Sequence, residues 1–113
     1  MARDLSFWKE KNSSGVKASD TYHALINGEK LDYVYELSTT KILSDVKNAF
    51  CDWKQIDTYN YEKDGAAIEI FASNQICRFD CYNLTEKDMN KIIDIMLKYD
   101  CPLYDAAIDV RFS

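Results

Sequence analysis

Glu69 and Asp80 are the two side chains whose spacing most invites chemistry. They lie in residues 68–80, IEIFASNQICRFD, which read as two short strands folded back on each other. In the register that the apolar residues favour, the carboxylates sit directly opposite one another. Cross-strand Cβ atoms are then about 5 Å apart, where like charges destabilise a sheet. Three things can offset that repulsion: a bound cation, a raised pKa on one carboxyl group as in acid–base catalysis, or a neighbouring base. Arg78 shares the face, two residues from Asp80 and diagonal to Glu69, so ion pairing alone accounts for the pair.

Other chemistry finds little support. Cys77 and Cys81 are spaced as helical zinc ligands would be, but in a strand rising about 3.3 Å per residue they stand roughly 13 Å apart. With Cys51 and Cys101 far along the chain and His23 the sole imidazole, no metal set is assembled. Buried, reduced thiols are expected instead. No nucleophile stands beside a base that a third group orients. Gly15, Gly28 and Gly65 are too scattered to cradle phosphate. The expectation is therefore no catalytic residue, no cofactor and no metal, with enzymatic activity less favoured than binding.

The elements that position Glu69 and Asp80 follow from periodicity. Residues 53–61, 66–73 and 76–82 are three strand candidates. Asp64-Gly65 is preferred chemistry for a two-residue hairpin turn, since both central positions need positive φ. Pairing Lys63 with Ala66 sets Tyr61 against Ile68 and Tyr59 against Ile70. A second turn at Asn74-Gln75 sets Ile70 against Phe79, Ile68 against Cys81 and Ala72 against Cys77. Both registers place Tyr59, Tyr61, Ile68, Ile70, Ala72, Cys77, Phe79 and Cys81 on one face, agreement that a one-residue slip would destroy. The other face carries Thr58, Asn60, Glu69, Phe71, Ile76, Arg78, Asp80 and Tyr82, polar at one end and apolar at the other.

Around this meander, residues 3–8 alternate as a strand with Leu5 and Phe7 on one side and Ser6 and Trp8 on the other. Residues 9–15 form a polar loop. Ser19 or Asp20 caps a short helix with Ala18, Tyr22, Leu25 and Ile26 on one stripe, and Gly28 ends it. Residues 31–37 fit a strand or a helical turn equally well. Ser38 opens a helix striped by Ile42, Leu43, Val46, Ala49 and Phe50, and Thr85 opens another striped by Met89, Ile92, Ile93, Met96 and Leu97. Residues 108–112 alternate strictly and form a last strand. The predicted fold class is α+β: a two-layer sandwich, a mostly antiparallel sheet built on the meander plus N- and C-terminal strands, with about three helices on one face.

A chain of 113 residues with 47% apolar and 29% charged composition suits a single globular domain spanning 1–113. No apolar run approaches a membrane span, so a cytoplasmic protein with no membrane partner is expected. Net charge is −5, and all of the excess lies in residues 57–113, which hold eleven acids and six bases. Nucleic acid needs a basic footprint and is not expected as a ligand. A basic protein partner is, because complementary charge steers association.

The tail Cys101-Pro102-Leu103-Tyr104-Asp105, taken with the preceding helix and meander, resembles small bacterial α+β proteins, some of them immunity proteins that neutralise toxins. The resemblance covers about the last 60 residues and implies a non-enzymatic binding role toward a toxin or nuclease domain. Glu69, Phe71, Arg78, Asp80 and Tyr82 are the expected partner-binding set, since aromatic anchors inside a polar rim make an interface. The alternatives are a small enzyme or metal-binding protein using Glu69 and Asp80, and a homodimer or larger homo-oligomer joined through an exposed sheet edge.

Overall fold

The computed structural model describes residues 2–12 and 15–112, which leaves Ser13 and Ser14 of the expected loop outside the described residues. The elements are β1 (Ala2–Phe7), α1 (Ala18–Ile26), α2 (Thr39–Ala49), β2 (Lys54–Asp57), β3 (Asn60–Lys63), β4 (Ala66–Ala72), β5 (Cys77–Tyr82), α3 (Glu86–Lys98), β6 (Leu103–Asp105) and β7 (Val110–Arg111). The strands form one antiparallel sheet in the order β2-β3-β4-β5-β1-β6-β7. The fold is α+β, as expected. No helix among the described residues is long and apolar enough to cross a membrane.

The meander keeps its expected register. Asp64 and Gly65 both take positive φ, +49° and +84°, and Lys63 pairs with Ala66 and Tyr61 with Ile68. Across the next hairpin Ile70 pairs with Phe79, Ile68 with Cys81 and Ala72 with Cys77. Ile68, Cys77, Phe79 and Cys81 are buried with Leu5 and Phe7 of β1, beneath Ile42 and Val46 of α2 and Ile92 and Met96 of α3. Phe7 meets Phe79 edge-on at 5.8 Å between ring centres, a favoured aromatic geometry. This is the main core.

Several elements depart from expectation. The strand expected over residues 53–61 is two strands, parted where the Asp57 carboxylate accepts the Tyr59 N–H at 2.8 Å and an Asn60 side-chain N–H at 2.9 Å. An aspartate that captures the backbone two residues on makes a turn, and here it lifts Tyr59 out of the core to 45% exposure. Helix α1 begins at Ala18 with Lys17 in the capping position, so neither Ser19 nor Asp20 caps it. Residues 31–37 are neither strand nor helix. The buried Gln75 side chain holds that segment through the Leu31 N–H and the Leu31 and Val34 carbonyls, and Val34 makes a single bridge to Glu10. Leu97, expected on the buried stripe, is exposed in the last turn of α3. The last expected strand shrinks to Val110–Arg111, because residues 106–109 make the turn of a hairpin with β6, an element the sequence did not announce.

The helices also divide between the faces. Helices α2 and α3 cover the main core, while α1 lies on the other side, where Tyr22 and Leu25 pack with Trp8, Val34, Ile76 and Tyr104. The reason is in the strands: Trp8 and Ile76 fall on the second face by alternation and need cover of their own. The Trp8 and Tyr104 rings lie 5.2 Å apart and Tyr22 meets Tyr104 at 5.3 Å.

Candidate functional site: a carboxylate row on the second face

The part of the second face that α1 leaves uncovered carries the expected pair. Glu69 and Asp80 are cross-strand partners. What periodicity did not reveal is the neighbour on the far side of β5. Strand β1 pairs there, and Asp4 stands directly opposite Asp80. Because Asn60 pairs with Glu69, four strands contribute one row, Asn60–Glu69–Asp80–Asp4. At about 4.8 Å per strand its three carboxylates span roughly 10 Å.

The rows on either side complete the site. On one side run Phe71, Arg78 and Ser6; on the other, Ala67, Tyr82 and Ala2. Arg78 Nε lies 2.9 Å from Asp80 Oδ1, close enough for an ion pair though not aligned as a hydrogen bond. A second guanidinium nitrogen reaches Asp80 Oδ2 at 3.4 Å, and the Tyr22 hydroxyl accepts from Arg78 at 3.5 Å. The guanidinium also sits 5.4 Å from the centre of the Phe71 ring, a cation–π distance. Arg78 is thus fixed by α1, β4 and β5 together.

The titration behaviour follows from this crowding. Burial pushes the Asp80 carboxyl above the usual carboxylate range; Arg78 pulls it down, and the adjoining Asp4 carboxylate adds to the rise. Tyr82 is raised as well, first by its hydrogen bond to Glu69 and then by that carboxylate's charge. Glu69 and Asp4 are exposed, whereas the Arg78 and Asp80 side chains keep only 23% and 21% of their surface. One arginine therefore answers three carboxylates, and the two outer ones face solvent.

All five residues expected to bind a partner lie on this face, and the structure adds Asp4 and Tyr22. The alternation of residues 3–8 already put Asp4 on the side of Ser6 and Trp8. It carried no information about which strand would lie beside it. Among the described residues no group of histidine, cysteine or acidic side chains is arranged to hold a metal ion. Cys77 and Cys81 are buried on the core face with their thiols pushed up to about 12, and Cys101 to about 11, by burial. Such thiols stay protonated and inert. His23 lies exposed on α1 against the Tyr22 ring. A hollow of about 540 Å³ opens at the other end of the meander, lined by Asp52, Lys54, Lys63 and the Asp64-Gly65 turn. Comparison with protein-family models, with curated proteins and with solved structures finds no match.

Proposed function

We propose that the protein is a small binding or inhibitory protein, immunity-like in its action, that docks the second face of its sheet on a basic protein partner. The observation that carries this reading is the row of three carboxylates with a single arginine to balance it. Like charges in register across three strands cost stability, and a partner that brings lysines or arginines to the two exposed ones, Asp4 and Glu69, relieves that cost on binding. Phe71, 37% exposed at the edge of the row, supplies apolar contact area, and Tyr82 lies within the same patch. A basic toxin or nuclease domain would supply that charge, and a cytoplasmic location suits such a partnership.

The test is capture from the native host by the wild-type chain and by Asp4→Lys and Glu69→Lys, two exposed positions whose reversal leaves both cores untouched. A specific partner retained by the wild type is expected to be lost from the double variant, with association at low salt slowed about tenfold or more. Equal retention by both proteins would remove this face from consideration. Asp80, with its raised carboxyl beside Glu69 and Asp4, favours a second reading, acid–base catalysis on the same row. That reading predicts loss of a measurable activity in Asp80→Asn and no dependence of partner capture on charge.

A further inference from the structure

The helix layer on the core face stops short of the sheet. Exposure on that face climbs from β1 outward: Leu5 and Phe7 are 1% and 0% exposed, Leu103 of β6 is half-buried, and Val110 of β7 and Phe112 beyond it are 39% and 50% exposed. Register keeps these residues on one side. Leu103 pairs with Phe7, Val110 pairs with Asp105, and the Phe112 N–H bonds to the Leu103 carbonyl at 2.8 Å. Helix α3 leaves a matching flank open. Met89 and Ile93 line a hollow of about 240 Å³ with Leu5 and Leu103, and Leu97, one turn further along that flank, is 52% exposed. The other flank of α3 is used against α2, where Lys91 lies over the Phe50 ring and Lys98 reaches Asp45 at 2.9 Å. Beside α2, at the opposite margin, the corresponding hollow is lined largely by polar residues, Thr40, Ser44, Lys47, Gln55 and Thr58, which water satisfies.

We propose that the groove between α3 and the β6–β7 hairpin receives an amphipathic helix of a partner protein, running antiparallel to α3 with a lysine or arginine of its last turn against Glu86. The dimensions specify a helix. Strands β6 and β7 carry the sheet about 10 Å beyond β1, and a helix with its side chains is about 10–12 Å across, so the ledge is one helix wide. From Glu86 to Leu97 the open flank of α3 runs roughly 16 Å, or about three turns. Both walls are apolar, with Met89, Ile93 and Leu97 on one side and Leu103, Val110 and Phe112 on the other, which suits a helix that buries an apolar stripe between them.

Charge sets the direction. Glu86, exposed in the first turn of α3, lines the hollow and makes no ion pair among the described residues. Arg3, the cation that lines the same hollow, is bound to Asp105 at 3.1 Å. This end of the groove therefore keeps one acidic charge unanswered. Cations are favoured in the last turn of a helix, so a helix that brings one to Glu86 lies antiparallel to α3, and the two helix dipoles then oppose each other favourably. The groove is on the opposite side of the sheet from the carboxylate row, and the inference stands or falls independently of that row.

The test uses the full chain and two labelled helical peptides of about four turns, each with leucines spaced to form one apolar stripe. One peptide carries lysines in its last turn and the other carries glutamates there. Fluorescence anisotropy is expected to show saturable binding of the lysine peptide, with the glutamate peptide weaker by about threefold or more. Leu97→Gln, at an exposed position, should weaken the lysine peptide about tenfold with unchanged thermal unfolding. Glu86→Lys should reverse the preference between the two peptides, and the Asp4→Lys, Glu69→Lys double variant should leave both affinities as they are. No saturation by the lysine peptide, full binding by Leu97→Gln, a preference that survives Glu86→Lys, or binding lost in the double variant would each overturn the proposal. So would a wild-type mass that doubles with concentration and returns to monomer in Leu97→Gln, which would give the groove to a second copy.

Discussion

The two faces of this sheet are built from alternate residues of the same strands, yet they live in opposite physical regimes. On the core face, Leu5, Phe7, Ile68, Cys77 and Phe79 are within 1% of complete burial beneath α2 and α3. On the second face Trp8 and Ile76, just beyond the ends of β1 and β5, lie under α1, and the strands themselves then run out into Asp4, Glu69 and Asp80. One face is closed by apolar matching across its central strands, with Tyr59 and Arg3 left exposed at its margins; the other is closed only where its strands turn apolar. The difference teaches that α1 is placed by a local apolar patch, and that the carboxylate row lies beyond its reach.

The sharpest way to break the comparison is to open the core face. Phe79→Ala removes a fully buried ring that meets Phe7, and a loss of about 3–5 kcal/mol in urea unfolding is expected. A loss below about 1 kcal/mol would mean that the main core is not where the stability lies. A smaller effect, about 2 kcal/mol, is expected from Ile76→Ala beneath α1, at the low end of such substitutions because fewer buried residues surround it there than in the main core. Hydrogen exchange should then accelerate in residues 18–26 and not in α3. Equal acceleration in both helices would show that the two faces are one cooperative unit rather than two.

The smallest effect compares two carboxylates by pH. Asp80 titrates above its ordinary value of 3.8, because burial, and after it Asp4, outweigh Arg78. Its contribution to stability is therefore greatest below pH 3.8 and falls as pH rises through the raised value. Asp45, which bridges α2 to α3, is held below 3.8 by hydrogen bonds from Tyr99 and Lys98, so its contribution is present above pH 3.8 and is lost as pH falls through the lowered value. Asp80→Asn should gain on the wild type as pH rises from 3.8 through the raised value, whereas Asp45→Asn should lose on it below 3.8, as pH rises from the lowered value. Unfolding midpoints measured across both ranges test the pair, and slopes of the same sign would refute the assignment.

Much of the site was legible before any coordinates. Asp64-Gly65 selects its turn, that turn sets Tyr61 against Ile68, and the next hairpin sets Glu69 against Asp80. Each step needs only neighbours in the chain. Helices α2 and α3 were equally plain, and for α3 even the cap is realised, with the Thr85 side chain accepting the Asp88 N–H. The break at Asp57 was missed because its aspartate competes with an otherwise good strand pattern, and β6 because Pro102 and three paired residues leave no periodicity to read.

What the sequence alone determined, then, is everything that turn chemistry and alternation can set within a hairpin: the registers, the two faces, and which residues each face displays. What only the tertiary structure decided is which distant segments lie side by side. That β1 inserts between β5 and β6, bringing Asp4 to Asp80 across 76 positions of chain, is not written in any local pattern. Nor is the choice of α1 for the second face. Periodicity says which side of a strand is apolar; only the burial of every apolar side at once, across the whole chain, says what will cover it.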